Sequence, residues 1–342
     1  MQTLRRTPLH DRHASLGARL VPFAGWEMPV QYTSVAEEHR AVRTAAGVFD
    51  VSHMGELAVA GAATHGWLQA RLSNDLDRIG PGQAQYTLLT NDGGGIVDDL
   101  IAYRRGEDDY LLVVNASNVE ADHTALAETD DVSHEWALLA VQGPEALARL
   151  EVDVAPFTFR EEEVLGVRCL LAGTGYTGER GCELGCAPED APRLWDAILA
   201  RGVVPCGLAA RDTLRLEACY PLHGQDIGPT RTPIEAGLGW ACALRKEFTG
   251  VDVLRRQKEE APAQKLVAFT MVEKGIPRQG MRIEEGGEVT SGTLSPFLGE
   301  AIGLGYVDSP LSAPGTEITI DVRGRPRRAR IVPKPFYKRG EG

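Results

Sequence analysis

The hydrophobic pattern of the chain changes character once, near residue 262. Ahead of that point, strand-like and helix-like stretches alternate. Beyond it come only short strands separated by Gly/Pro turns. Such a chain is α+β with an all-β piece at its end, and Glu259-Glu260-Ala261-Pro262-Ala263 reads as the link. The 342 residues leave room for two or three domains at ~150 residues each. Ser34 with Glu37 three positions on is a capping box, in which hydroxyl and carboxylate each satisfy a free backbone N–H. It predicts a helix over 35–46 stopped by Gly47. Residues 86–90, 96–103 and 110–115 read as paired strands turned by Asn91-Asp92-Gly93-Gly94-Gly95 and by Arg105–Asp108. Further helices are expected over 118–127, 188–200, 209–218 and 251–258, and strands over 48–60, 136–141, 167–171 and 182–186.

The 36 Lys and Arg against 48 Asp and Glu leave a formal net charge of −12, and no basic block offsets it. Such a surface repels a phosphate backbone, so nucleic acid is not an expected partner. No apolar run approaches the ~20 residues of a spanning helix, so no membrane partner is expected either. The six cysteines, Cys169, Cys182, Cys186, Cys206, Cys219 and Cys242, form no C-x-x-C pair, and residues 1–8 lack an apolar leader core. Free, mostly buried thiols and a cytoplasmic location are the expectation.

Gly173-Thr174-Gly175-Tyr176-Thr177-Gly178 matches G-x-G-x-x-G after a strand, but a second strand, not a helix, is expected to follow. A dinucleotide needs the helix N-terminus there, so no flavin or nicotinamide is expected. The eight histidines form no metal spacing and no G-x-S-x-G is present, so neither a metal nor a nucleophile elbow is expected. In the strand 96–103, alternation places Asp99 with Val97, Ile101 and Tyr103, and Asp98 with Ile96, Leu100 and Ala102. Both faces are apolar, so at least one carboxylate sits among hydrophobic side chains. A carboxylate placed so is either bonded to turn or backbone groups or held as an acid with a raised pKa. Arg211-Asp212-Thr213-Leu214-Arg215-Leu216-Glu217 reads as a charged helix with ion-pair spacings.

Several stretches together resemble one family. They are Phe23-Ala24-Gly25-Trp26-Glu27-Met28-Pro29, Phe49-Asp50-Val51-Ser52-His53-Met54-Gly55, Gly94-Gly95-Ile96-Val97-Asp98-Asp99-Leu100, Gln142-Gly143-Pro144, Thr174-Gly175-Tyr176-Thr177-Gly178-Glu179, Arg211–Glu217, Thr290–Pro296 and Lys334-Pro335-Phe336-Tyr337. In this order, across nearly the whole chain, they resemble the aminomethyltransferase (T-protein) family of the glycine cleavage system. The resemblance implies a three-domain folate-binding fold around a central opening. Residues 1–52 and 136–261 would interleave as the core, 53–135 would form an α+β subdomain, and 262–342 a C-terminal β-barrel. It implies transfer of the methylene of a lipoyl-bound aminomethyl group to tetrahydrofolate, the co-substrate, with release of ammonia. The partner would be the lipoylated H-protein carrier, and the chain a monomer.

By the same resemblance Asp99 is the functional aspartate, which orients a folate nitrogen and manages its proton. Tyr86, Tyr103 and Asn115 are pocket positions. Glu183 accepts from the amino-pyrimidine edge of the pterin, Arg211 is a pterin-side donor, and Met54 and Trp240 are pocket walls. Lys338 or Arg339 would meet the glutamate tail. The chain departs from the family at Gly173, where relatives carry Arg; at Cys182, where they carry Phe; and at Lys338, where they carry Arg. Two other members of the superfamily are the alternatives. A demethylation module is normally fused to a flavin part for which this chain has no room. An iron–sulfur assembly factor carries a cysteine that the Gly173–Tyr176 stretch lacks.

Overall fold

A computed structural model describes residues 3–340; positions 1–2 and 341–342, the outer ends of the expected first and last segments, lie outside the described residues. The chain divides into two compact units. One holds residues up to His65 with Leu76–Gln85 and Leu100–Asp212; the other holds Gly66–Asp75, Tyr86–Asp99 and everything from Thr213 onward.

The first unit contains a six-stranded sheet in the order Phe159–Val164, Val167–Ala172, Gly181–Cys186, Ala137–Gln142, Gly47–Asp50, Val204–Pro205. All neighbours are antiparallel except the last pair. Leu139, Val141, Leu171, Leu184 and Cys182 point into a core sealed by Leu194, Trp195 and Ile198 of the helix Ala191–Ala200. Residues 83–85 and 100–106 join Asp109–Val114, Gly55–Ala60 and Asp130–Asp131 in a five-stranded sheet of the same unit. The helix Val35–Thr44 begins where expected, but only half of the expected box forms: the Ser34 hydroxyl accepts from the Glu37 N–H, while the Glu37 carboxylate takes the Ser34 hydroxyl. It ends before Gly47, which opens the next strand instead. The strand expected over 48–60 is two strands, broken by a turn at 51–54 that carries Ser52, His53 and Met54.

The second unit contains the all-β part. Its five strands run Gly287–Leu294, Ala301–Asp308, Gln264–Met271, Pro326–Val332, Glu317–Asp321. Residues Arg282 and Ile283 bridge the two outer strands, at Glu288 and at Ile320, so the sheet closes on itself. Phe269, Ile283, Val289, Val307, Ile320 and Ile331 fill the interior. All six cysteines are free, and burial pushes their thiols up, Cys169 to about 12. Among the described residues no helix is long and apolar enough to cross a membrane.

Each unit holds a buried ion pair. In the second, Arg215 contacts Asp226, which also accepts from Thr290 and from the Leu222 N–H. In the first, Asp50 accepts from Thr7 at 2.7 Å and bonds His13 Nε2 at 2.8 Å, while His13 Nδ1 meets the Tyr32 hydroxyl at 2.8 Å. Burial alone would raise the Asp50 pKa. The hydrogen bond and charge of His13, with bonds from Ser52 and Thr7, hold it below the ordinary value. A carboxylate held below its unfolded value stabilises the fold above that value and loses this as pH falls through the folded one. His13→Leu should therefore cost ~3 kcal/mol at pH 7 by urea denaturation. The gap to wild type should narrow below about pH 4.

Candidate functional site

Asp98 and Asp99 stand where a strand leaves a tight glycine turn. Asn91 closes that turn through its backbone and side chain to Gly95, and its side chain also reaches the Pro229 carbonyl. A Cβ on Gly95 would lie 1.9 Å from that same carbonyl oxygen, so only glycine lets the strand start there. The Ile96 N–H donates to the Gly228 and Arg231 carbonyls, and the Ile96 side chain joins Leu88, Leu238, Ala241 and Leu254 in the core. Alternation does put the two carboxylates on opposite faces. The one fully buried is Asp98, at 0 % exposure, while Asp99 is half-buried.

The Tyr86 hydroxyl donates to Asp99 Oδ2 at 3.0 Å. The Tyr86 ring lies nearly parallel to the indole of Trp240, 5.4 Å between centroids and 22° between planes. Trp240 is held in the short helical turn Gly239–Ala241, yet remains 65 % exposed, with one face of its ring against Tyr86. The second unit thus brings together an acid, the tyrosine that orients it and a flat apolar platform.

The first unit gathers Tyr103, Glu183 and Arg211. The Thr174 hydroxyl donates to Glu183 Oε2, and the Tyr103 hydroxyl meets Thr174 at 3.0 Å. Glu183 faces this loop because its strand pairs Glu183 with Ala172, just before the loop begins. The Arg211 guanidinium lies 4.9 Å from the centre of the Tyr176 ring. Its Nη1 is buried with no hydrogen-bond partner, and burial lowers its pKa against the pull of Glu183 and Tyr176. Burial also raises the Tyr103 hydroxyl well above the ordinary tyrosine value, with the Glu183 charge adding to it. Thr174 and Tyr176 were not among the expected site residues. Only the sheet register shows that a loop nine positions from Glu183 folds back on it.

The loop is anchored from below. Arg43 Nη1 donates to the Thr177 carbonyl and to Glu179, each at 2.8 Å, with both charged side chains buried. Gln142 bonds the Thr174 carbonyl and accepts from the Thr177 hydroxyl. The departure at Gly173 has a steric reason. A Cβ there would lie 2.0 Å from the Ala155 carbonyl oxygen, so no side chain fits, and the ion pair of this loop is supplied by Arg43. Cys182 is fully buried and fills its smaller space. Met54 is half-buried in the turn after Asp50, and Asn115 is half-buried just past the strand Asp109–Val114. Lys338 and Arg339 are exposed beyond Tyr337, whose N–H donates to the Glu217 carbonyl. Among the described residues no three His, Cys, Asp or Glu side chains are grouped to hold a metal ion.

The fold is that of the aminomethyltransferases. A crystal structure of the glycine cleavage system aminomethyltransferase T from Bartonella henselae superposes with a TM-score of 0.91 at 33% identity, covering 98% of each chain. Residues 9–246 match the GCVT N-terminal domain and 264–338 the glycine cleavage T-protein C-terminal barrel domain. Curated aminomethyltransferases of Geobacillus kaustophilus and Bacillus subtilis are 51% and 46% identical, over 99% and 98% of this chain and 100% of theirs. The chain belongs to the glycine cleavage T-protein family.

The loop anchor generates a prediction. Arg43→Met leaves the Glu179 carboxylate buried without its partner and should cost about 3 kcal/mol or more in urea denaturation. Arg43→Met with Glu179→Leu should recover much of that loss, because an apolar pair carries no desolvation debt.

Proposed function

We propose that the chain is a tetrahydrofolate-dependent aminomethyltransferase. It moves the methylene of a lipoyl-bound aminomethyl group to tetrahydrofolate and releases ammonia. The carrier is the lipoylated H-protein, and the chain acts as a cytoplasmic monomer. The observation that carries this reading is an oriented acid, Asp99 under Tyr86, in a chain that matches aminomethyltransferases along nearly its whole length.

The residues support distinct roles. Tyr86 fixes one oxygen of Asp99 through a hydrogen bond from a neutral hydroxyl, which sets the direction the carboxylate faces. It can then orient a folate nitrogen and accept or return its proton. Glu183 has Oε2 engaged by Thr174, and its other oxygen carries no protein hydrogen bond among the described residues. That oxygen suits the adjacent N–H donors of an aminopyrimidine edge. Arg211 offers a buried N–H that lacks an acceptor, which a pterin oxygen would supply. Trp240 gives stacking surface, Met54, Tyr103 and Asn115 are pocket walls, and Lys338 or Arg339 meets the glutamate tail.

Ammonia release by the purified protein with aminomethyl-loaded carrier and tetrahydrofolate tests the reading, omitting each component in turn. Stimulation that requires both is expected; release indifferent to folate would overturn it. Asp99→Asn should lower the turnover about a hundredfold or more with the thermal midpoint kept. Wild-type turnover in that variant would remove Asp99 from the chemistry. For Glu183→Ala, calorimetry should show the folate dissociation constant rising by roughly ten- to a hundredfold, the scale of a charge-assisted hydrogen bond.

A further inference from the structure

His53 has no assigned role in the scheme above, and its surroundings argue that it has one. It sits in the turn between the strands Gly47–Asp50 and Gly55–Ala60, immediately before Met54, and is only 5 % exposed. Its ring meets Phe23 edge-on at 5.5 Å. Its Nδ1 is buried with no hydrogen-bond partner. A buried imidazole nitrogen is ordinarily bonded, because leaving it bare forfeits its hydration with nothing in return. Arg211, in the same unit, carries the same defect at Nη1 and is electrostatically coupled to His53. Two bare polar nitrogens in one buried neighbourhood mark a place built for a polar ligand.

The charges narrow the ligand. Burial, opposed by the charge of Asp50 and helped by the smaller effect of the Arg211 cation, brings the His53 pKa down to about 4, so the ring is neutral at pH 7. Arg211 is one positive charge and the Glu183 that pulls on it one negative. Asp50, the other charge felt by His53, is also negative, so the neighbourhood holds no surplus positive charge. A phosphate or carboxylate would find no surplus positive charge there, whereas an uncharged ring with both donors and acceptors on its edge would.

We propose that His53 is a substrate-binding residue: its neutral imidazole hydrogen-bonds the pterin ring of the folate through Nδ1, beside the contact made by Arg211. This rests on the folate reading above and adds a specificity contact to it. The hydrogen bond is worth about tenfold in affinity.

Calorimetry with 5-formyltetrahydrofolate, an oxidation-stable folate, tests it. His53→Leu should weaken binding about tenfold and raise KM for tetrahydrofolate, with kcat largely kept. His53→Asn, which keeps a polar atom at the Nδ1 position, should bind within about threefold of wild type, whereas His53→Gln, which places its amide further out, should not. Inorganic phosphate at millimolar concentration should leave folate binding unchanged. If His53→Leu fails to fold, the contrast between Asn and Gln decides: equal binding by the two overturns the proposal. Wild-type affinity in a folded His53→Leu overturns it while leaving the folate reading intact. Failure of the wild-type protein itself to bind the folate overturns both.

Discussion

The course of the 174–178 loop depends on a pair of opposite charges buried together. Arg43 and Glu179 form such a pair, and the arginine also takes the Thr177 carbonyl. The loop 174–178 has no regular structure of its own, so this pair and Gln142 set its course. The loop in turn supplies Thr174 to Glu183 and Tyr176 to Arg211. The buried pair and Gln142 together thus fix the loop that holds the Glu183 carboxylate. Asp50 with His13 ties the N-terminal segment to the six-stranded sheet in the same way, and Asp226 with Arg215 ties a helix end to the closed sheet of the second unit.

The carboxylates given functional roles are treated differently. Asp99 is addressed by a tyrosine hydroxyl and Glu183 by a threonine hydroxyl. A neutral donor orients a carboxylate without cancelling its charge, whereas a salt bridge would hold it as a spectator. Arg211 and His53 pose a different case. Each keeps a buried nitrogen unbonded, a cost that the rest of the fold must offset.

Much of this was legible in the residues. The Ser34–Glu37 box set a helix start, the Asn91–Gly95 run a tight turn, and the change of pattern near 262 an all-β end. These signals are local: a cap or a turn depends on backbone groups within four residues. Strand alternation correctly separated Asp98 from Asp99, but it could not say which would be covered. That depends on what packs above each face, and the buried member is Asp98. The break at 51–54 escaped notice because Val51, Ser52 and His53 fit a strand as well as a turn, and Asp50 bends the chain only by accepting the Ser52 N–H. The reason for Gly173 was equally hidden, since the carbonyl that excludes a side chain belongs to Ala155, eighteen positions away.

The sequence alone determined the order of the elements, the all-β end and the family, since local propensity and the order of motifs are properties of the chain itself. The tertiary structure decided which carboxylate is covered, which is clamped and by what. It set Tyr86 on Asp99, Thr174 on Glu183 and Arg43 on Glu179, and it left His53 and Arg211 each with an unsatisfied nitrogen. Protonation and hydrogen bonding depend on distances of a few ångströms and on the exclusion of water, and both come into being only when segments far apart in the chain pack together.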